Sequence, residues 1–306
     1  MSIRPLDLRD LPVLARYRNN AITLDTGRAL TRGHPLSAAG FLAYFNPSRH
    51  VYGAIANGDN EPLVGGIINT RGDTFAKLLY LAPASGLNHA ELPLLIEHLS
   101  AQAGTWGAFH VIAEVDETSE AFPDLRSAGF SVYAWQRMWD VTNVKRSERE
   151  PEWARMRTVD LPAVQSLYHQ ILPPLLQPVE PLLSRPRGFV STDGMKCYLS
   201  LSTGIYGILL TPLIHPEASH VGPKLAGLIS HLPNRGERPV YVCVRSYQAW
   251  LEPVLADLGA RAGERQAVMV KHLARLIKDE QTVRGAQPSG VSVQPSRVSR
   301  ISKQRT

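Results

Sequence analysis

Glu114 is the only charged residue in the apolar run of residues 111–115, which makes its carboxylate the first candidate for proton chemistry. Buried, with its pKa raised, it would act as a general base; with its head in solvent it is an ordinary strand-edge glutamate. Glu217 has the same two readings, in a loop where solvation is the simpler one. His215 and His220 lie five residues apart around Pro216, a spacing that fits no common metal motif, and His89 and His98 form no better pair. Cys197 and Cys243 sit in strand-like apolar runs without an identifiable His and acid partner, and two cysteines alone cannot build a zinc site. Both read as buried thiols acting as small hydrophobes. An aromatic series remains: Tyr133, Trp135 and Trp139 share one face of a strand by period two, with Met138 between them. They would line a ligand cleft, join two parts of the chain, or simply pack a sheet. No Gly-x-Ser-x-Gly elbow, Walker loop or dinucleotide fingerprint is present.

The elements that must position these residues come in two rounds. Asp10-Leu11-Pro12-Val13-Leu14 is answered by Asp160-Leu161-Pro162-Ala163-Val164, each after a short apolar-basic lead-in, Ile3-Arg4 and Met156-Arg157. Both aspartates suit a helix N-cap with proline in the first turn. In the first round a strand at 3–6 and this helix precede a meander at 51–57, 63–70 and 74–82, turned by Asn57-Gly58-Asp59-Asn60 and Arg71-Gly72-Asp73. A helix over 91–103, a strand over 109–115, a helix over 119–128 and a strand ending near Val141 complete it. The second round has a helix over 161–171, strands at 188–191, 195–201 and 206–214, a helix at 224–232, a strand at 240–244, a helix at 249–258 and a strand at 266–272. Leu125…Gly129 and Leu255…Gly259 end the two rounds alike.

Four domains of behaviour follow: units at 1–142 and 153–280, a polar linker at 143–152, and a disordered basic tail at 281–306. The tail holds Arg284, Arg297, Arg300, Lys303 and Arg305 and no acid, so of the net charge of +6 only +1 is left to the rest. Basicity confined to a tail argues against a nucleic-acid-binding folded face. No apolar run reaches a membrane span of roughly 18 residues, and no signal peptide opens the sequence, so a cytoplasmic protein is expected. Nothing in the sequence bears on oligomeric state.

Strand, helix, meander, helix, strand, helix, strand, given twice, resembles two folds of the GNAT (N-acetyltransferase) superfamily in tandem. Ala121 and Gly129-Phe130 sit at the family's spacing, and Pro83 and Pro216 fall where it often has a proline after its fourth strand. The resemblance implies a mixed α/β fold and acyl transfer from acetyl-CoA to a small-molecule or peptide amine by direct attack. In the family the loop after the fourth strand holds the cofactor's pyrophosphate against a helix N-terminus. The first round has Gly86, His89 and Glu91 at those positions. The second has Ser219, Val221, Gly222 and Lys224, and the resemblance therefore points there for acetyl-CoA. Leu125 and Leu255 occupy the position of the family's usual acidic tyrosine, while Tyr247 precedes its helix. No catalytic residue is thereby assigned. The alternative is an inactive scaffold of the same fold that binds a ligand or a protein partner.

Overall fold

Strand-length alternating runs and three-to-four-residue apolar stripes produce the elements in the computed structural model, which describes residues 2–37, 49–57, 61–87, 90–145, 152–182, 187–192 and 194–273. The first round folds as β1 (Ser2–Pro5), α1 (Leu11–Tyr17), β2 (Ile22–Thr23), α2 (Thr26–Arg32), β3 (Arg49–Asn57), β4 (Leu63–Thr70), β5 (Phe75–Ala82), α3 (Glu91–Thr105), β6 (His110–Asp116), α4 (Ala121–Ser127) and β7 (Ser131–Asp140). The second gives β8 (Trp153–Arg155), α5 (Leu161–Ile171), β9 (Gly188–Ser191), β10 (Cys197–Thr203), β11 (Ile208–Ile214), α6 (Val221–Ser230), β12 (Val240–Arg245), α7 (Leu251–Asp257) and β13 (Arg261–His272). The short β2 and α2 fall where the sequence shows only irregular chain. The tail at 281–306, the turn residues 58–60, most of the 143–152 linker, and His89 lie outside the described residues.

The repeat is physical as well as textual. Asp10 and Asp160 precede α1 and α5 with nearly the same backbone, φ −85°, ψ −6° and φ −82°, ψ −12°. Neither caps its helix through its side chain, as the sequence suggests. Each carboxylate turns back instead, accepting from Asp7 N–H at 2.9 Å and from Arg157 N–H at 2.8 Å. Asp10 also takes both guanidinium nitrogens of Arg4 at 2.7 Å, and that pairing holds its carboxyl below the usual range. Gly129 and Gly259 stand two residues before β7 and β13 with φ of +91° and +82°, values that suit glycine.

All strands of the described residues join one sheet, ordered β1-β3-β4-β5-β6-β13-β7-β12-β11-β10-β9-β8, with β2 paired to β5. Pairing is antiparallel except for β5 with β6 and β11 with β12. The last strand of each round has crossed over. β13 lies on β6 from Gln266↔Asp116 to His272↔His110, and β7 lies on β12 from Tyr241↔Asp140 to Arg245↔Gln136. The cores are shared accordingly. Ala267 and Met269 of β13 pack into the first round's cluster beneath α3 and α4, and Trp139 and Val141 pack into the second's beneath α6 and α7. α1 and α5 cover the opposite face.

Candidate functional site

Each parallel strand pair opens into a cleft. β5 and β6 pair only from Phe75↔His110 to Lys77↔Ile112, and β11 and β12 only from Ile208↔Val240 to Leu210↔Val242. The chain itself fills the first cleft. Ile22 and Thr23 pair with Leu81 and Tyr80, Leu24 N–H donates to Leu79 O at 2.9 Å, and Leu24 O accepts from Glu114 N–H at 2.8 Å. The segment thus satisfies both diverging edges and buries Leu24 to 1% exposure.

No described segment is inserted in the second cleft. Its β11 edge follows from backbone alternation: His215 N–H donates to Lys196 O beside β10, so Pro212 and Ile214 face the other way. Ile214 O takes the Gln248 amide at 2.8 Å, and Pro212 has no N–H to offer.

Below this opening, on the α5 face, lies a cavity of about 270 Å³ whose apolar walls include Leu172, Val179 and Leu213, with Lys77, Glu114, Tyr133, Glu180, Arg245 and Tyr247 among its polar lining. The polar groups form a chain across the exchanged strands. Lys77 Nζ is 3.0 Å from Asp25 and 3.5 Å from Glu114, and Glu114 also accepts from Thr26 N–H at 2.9 Å. Gln266 donates to Asp116 at 2.8 Å and accepts from Gln136 at 2.9 Å. Arg245 donates to Gln136, and pairs with Glu180 at 2.8 Å. Tyr247 OH donates to Glu180 at 3.3 Å. The buried Tyr133 hydroxyl has no hydrogen-bond partner among the described residues.

Burial opposes the charge on Glu114, but Lys77, Arg245 and hydrogen bonds from Gln136 and Thr26 outweigh it and hold its carboxyl below the ordinary value. Glu114 is therefore neither solvated nor the raised-pKa base that its strand position allowed. Burial likewise opposes charge on Lys77, and Asp25 and Glu114 reverse it, so its pKa is raised. Burial and the nearby Glu180 carry Tyr247 well above the usual phenol value, and Tyr168 up to about 12. Cys243, a buried donor to Gln136 Oε1, is pushed by burial to about 12.

Ser219 lies exposed in the turn before α6; Val221 and Gly222 open the helix after His220, whose φ is +55°. The helix has no side-chain cap, which leaves the Val221 and Gly222 N–H groups as first-turn donors. A Cβ on Gly222 would meet only Val254 Cγ1, at 3.4 Å, so the backbone there is open to close approach. Lys224 is not part of that opening. Its side chain is 4% exposed and lies 3.9 Å from Glu152, while Trp153 donates to its carbonyl. Glu217 is 75% exposed beside Lys196 and His215, and among the described residues no cluster of three or more His, Cys, Asp or Glu could hold a metal.

Tyr133 and Trp135 do not share a face. The β7–β13 register shifts between Val268↔Ala134 and Met269↔Val132, leaving Tyr133 as an extra residue. Tyr133 therefore reaches the cavity while Trp135 packs toward Phe122 and the first core. Sequence reasoning missed Lys77, Asp25, Gln136, Glu180, Arg245 and Gln266. The available signal was a single charge or amide inside an apolar strand, as in Phe75–Ala82 and Val240–Arg245.

No family model and no curated protein matches this sequence. Solved structures do. A GCN5-related N-acetyltransferase from Sphaerobacter thermophilus superposes with a TM-score of 0.53 at 14% identity, over 89% of this chain and 95% of that one. A tandem GNAT protein from the clavulanic acid biosynthesis pathway gives 0.50 at 14% identity, over 90% and 99%. Likeness at this identity is likeness of fold, and with the repeated strand order it leads to one statement: the chain carries the GNAT fold twice, in tandem, on a single mixed sheet.

Proposed function

We propose that the second unit, residues 153–280 of the sequence, binds acetyl-CoA and that the protein transfers its acyl group to an amine held in the cavity beneath β11 and β12. The observation that carries this reading is the contrast between the clefts: Ile22–Leu24 fills the first, whereas the second opens onto a cavity. The residues there fit the ligand. The N–H groups of Val221 and Gly222, at the positive end of α6, suit a pyrophosphate, with Ser219 beside them. When bound, acetyl-CoA supplies an activated thioester. An amine in the cavity would attack that thioester directly, the C–S bond would break with release of the thiolate, and the Glu180 carboxylate would take up, through water, the proton lost by the amine. Ile214 N–H is the β11 donor left to polarise a carbonyl, since Pro212 has none.

Pro212 also favours a second reading, as does Leu255, a fully buried residue where an acidic tyrosine is expected. Together they suit a scaffold that binds a ligand without turnover.

Calorimetry with acetyl-CoA, followed by thiol release with a panel of amines, separates the two. Saturable binding with thiol release supports transfer, and binding without release supports the scaffold. The variant Gly222→Asp places a carboxylate in the first turn of α6, where the helix dipole tolerates it. It should fold normally and lose binding, whereas Glu91→Gly should leave binding unchanged. No binding at millimolar acetyl-CoA removes the cofactor reading altogether.

A further inference from the structure

At the opposite end of the second unit from α6's first turn lies a groove of about 470 Å³ lined by Arg32, Arg155, Arg187 and Arg238, with Ser202 and Thr203 and, among the described residues, no acidic one. The four arginines come from separate places: the end of α2, the end of β8, and the residues just before β9 and β12. Arg238 has a structural task, donating to the carbonyls of Arg235 at 3.1 Å and Gly204 at 2.8 Å and to Asn234 O. Three of its five N–H groups are so engaged, and two remain. Among the described residues, the side chains of Arg32, Arg155 and Arg187 make no hydrogen bond or ion pair, and Arg155 and Arg187 are exposed and line the same groove.

Like charges gathered without a counter-charge repel one another. The crowding extends past the rim. Burial, then Arg32 and Arg28, draw the neighbouring Arg49 down to about 10, against which Asp25 acts alone. The walls themselves are close-packed backbone. A Cβ on Gly188 would lie 1.9 Å from Leu199 O, and one on Gly204 would lie 1.9 Å from Thr31 O. Arg155 therefore stands on a strand end and Arg187 beside one, while Arg32 ends a helix whose last turn is packed against Gly204.

We infer that this groove is a binding site for a small polyanion bearing two or more phosphate groups, clasped by Arg32, Arg155, Arg187 and the free N–H groups of Arg238, with Ser202 and Thr203 as neutral donors. Planar guanidinium forks match phosphate oxygens two at a time, which a scatter of lysines would not do. The concave outline suits a triphosphate-sized ion better than the long track of a nucleic-acid strand. The site is independent of the acetyl-CoA reading and lies at the other end of β11.

Isothermal titration of the full chain with inorganic tripolyphosphate at low salt should give saturable one-to-one binding that weakens as salt rises. Inorganic monophosphate should bind more weakly. Arg155→Gln and Arg187→Gln touch no described hydrogen bond of the fold, and each should weaken tripolyphosphate binding by roughly tenfold or more, the effect of a lost charge-assisted hydrogen bond. Absence of saturable binding overturns the inference. So does binding that persists in the Arg155→Gln/Arg187→Gln double variant, since the basic 281–306 tail would then be the binder. A single-stranded oligonucleotide that binds more tightly than tripolyphosphate, and loses that affinity in the double variant, would reassign the groove to nucleic acid.

Discussion

Replacing Lys77 with methionine removes a cation bonded to both Asp25 and Glu114 while nearly keeping the length of the side chain. The two carboxylates are nearly enclosed, at 7% and 5% side-chain exposure, whereas Lys77 keeps 31% through the cavity it lines. Breaking a fully buried pair from one side costs about 3–5 kcal/mol. The access at Lys77, and the bonds Glu114 keeps to Thr26 N–H, place Lys77→Met near the bottom of that range, about 3 kcal/mol. With a urea slope of about 3 kcal/mol/M, the denaturation midpoint should fall by about 1 M. The pH dependence identifies the cause. In the wild type the Glu114 carboxyl is depressed, so its stabilising contribution is present above its unfolded pKa and is lost as pH falls through the folded value. In Lys77→Met desolvation has less to oppose it and the folded pKa rises. The deficit should then grow as pH increases through that raised value and shrink in mild acid. Adding Glu114→Gln should recover part of the loss at neutral pH, because a neutral amide replaces the stranded charge. A midpoint for Lys77→Met within experimental error of wild type from pH 5 to pH 8 would refute the view that this network is a buried, mutually dependent set of charges.

Leu125→Ala and Leu255→Ala, equivalent and both 0% exposed, should each cost about 2–5 kcal/mol in chemical denaturation, and unequal effects would mark one core as the softer. Gly66→Val should destabilise by about 1–3 kcal/mol or more, since a Cβ there would come 2.5 Å from the enclosed Tyr80 ring, a clash readable as a lowered melting temperature. Lys224→Glu puts a carboxylate in the nearly enclosed position of Lys224, facing the half-exposed Glu152, and should lower the denaturation midpoint; the reciprocal Lys224→Glu/Glu152→Lys pair should restore part of it. Native protein should show almost no reaction of its two buried cysteines with a thiol reagent at pH 8, Cys243 being held near 12, while both react in denaturant.

Local physics alone fixed much of this architecture. Apolar period and turn chemistry placed the meander strands β3, β4 and β5 and the long α3 within a few residues, because such elements are decided by neighbours along the chain. The Asp-Leu-Pro repeat and the paired glycines at 129 and 259 announced two equivalent units for the same reason: each records a local backbone demand, a helix start or a positive φ. Three features were decided only by tertiary structure. The exchange of β7 and β13 depends on which edges are free once both units exist, and either strand alternates equally well in either place. The bulge that turns Tyr133 from Trp135 arises from the β7–β13 register, which no single strand contains. The state of Glu114 depends on Lys77 and Arg245, which lie 37 residues before it and on the second unit's β12, and a sequence carries no distance between them. The same holds for the four groove arginines, spread from position 32 to position 238: the residue types were plain from the start, and only folding set them side by side.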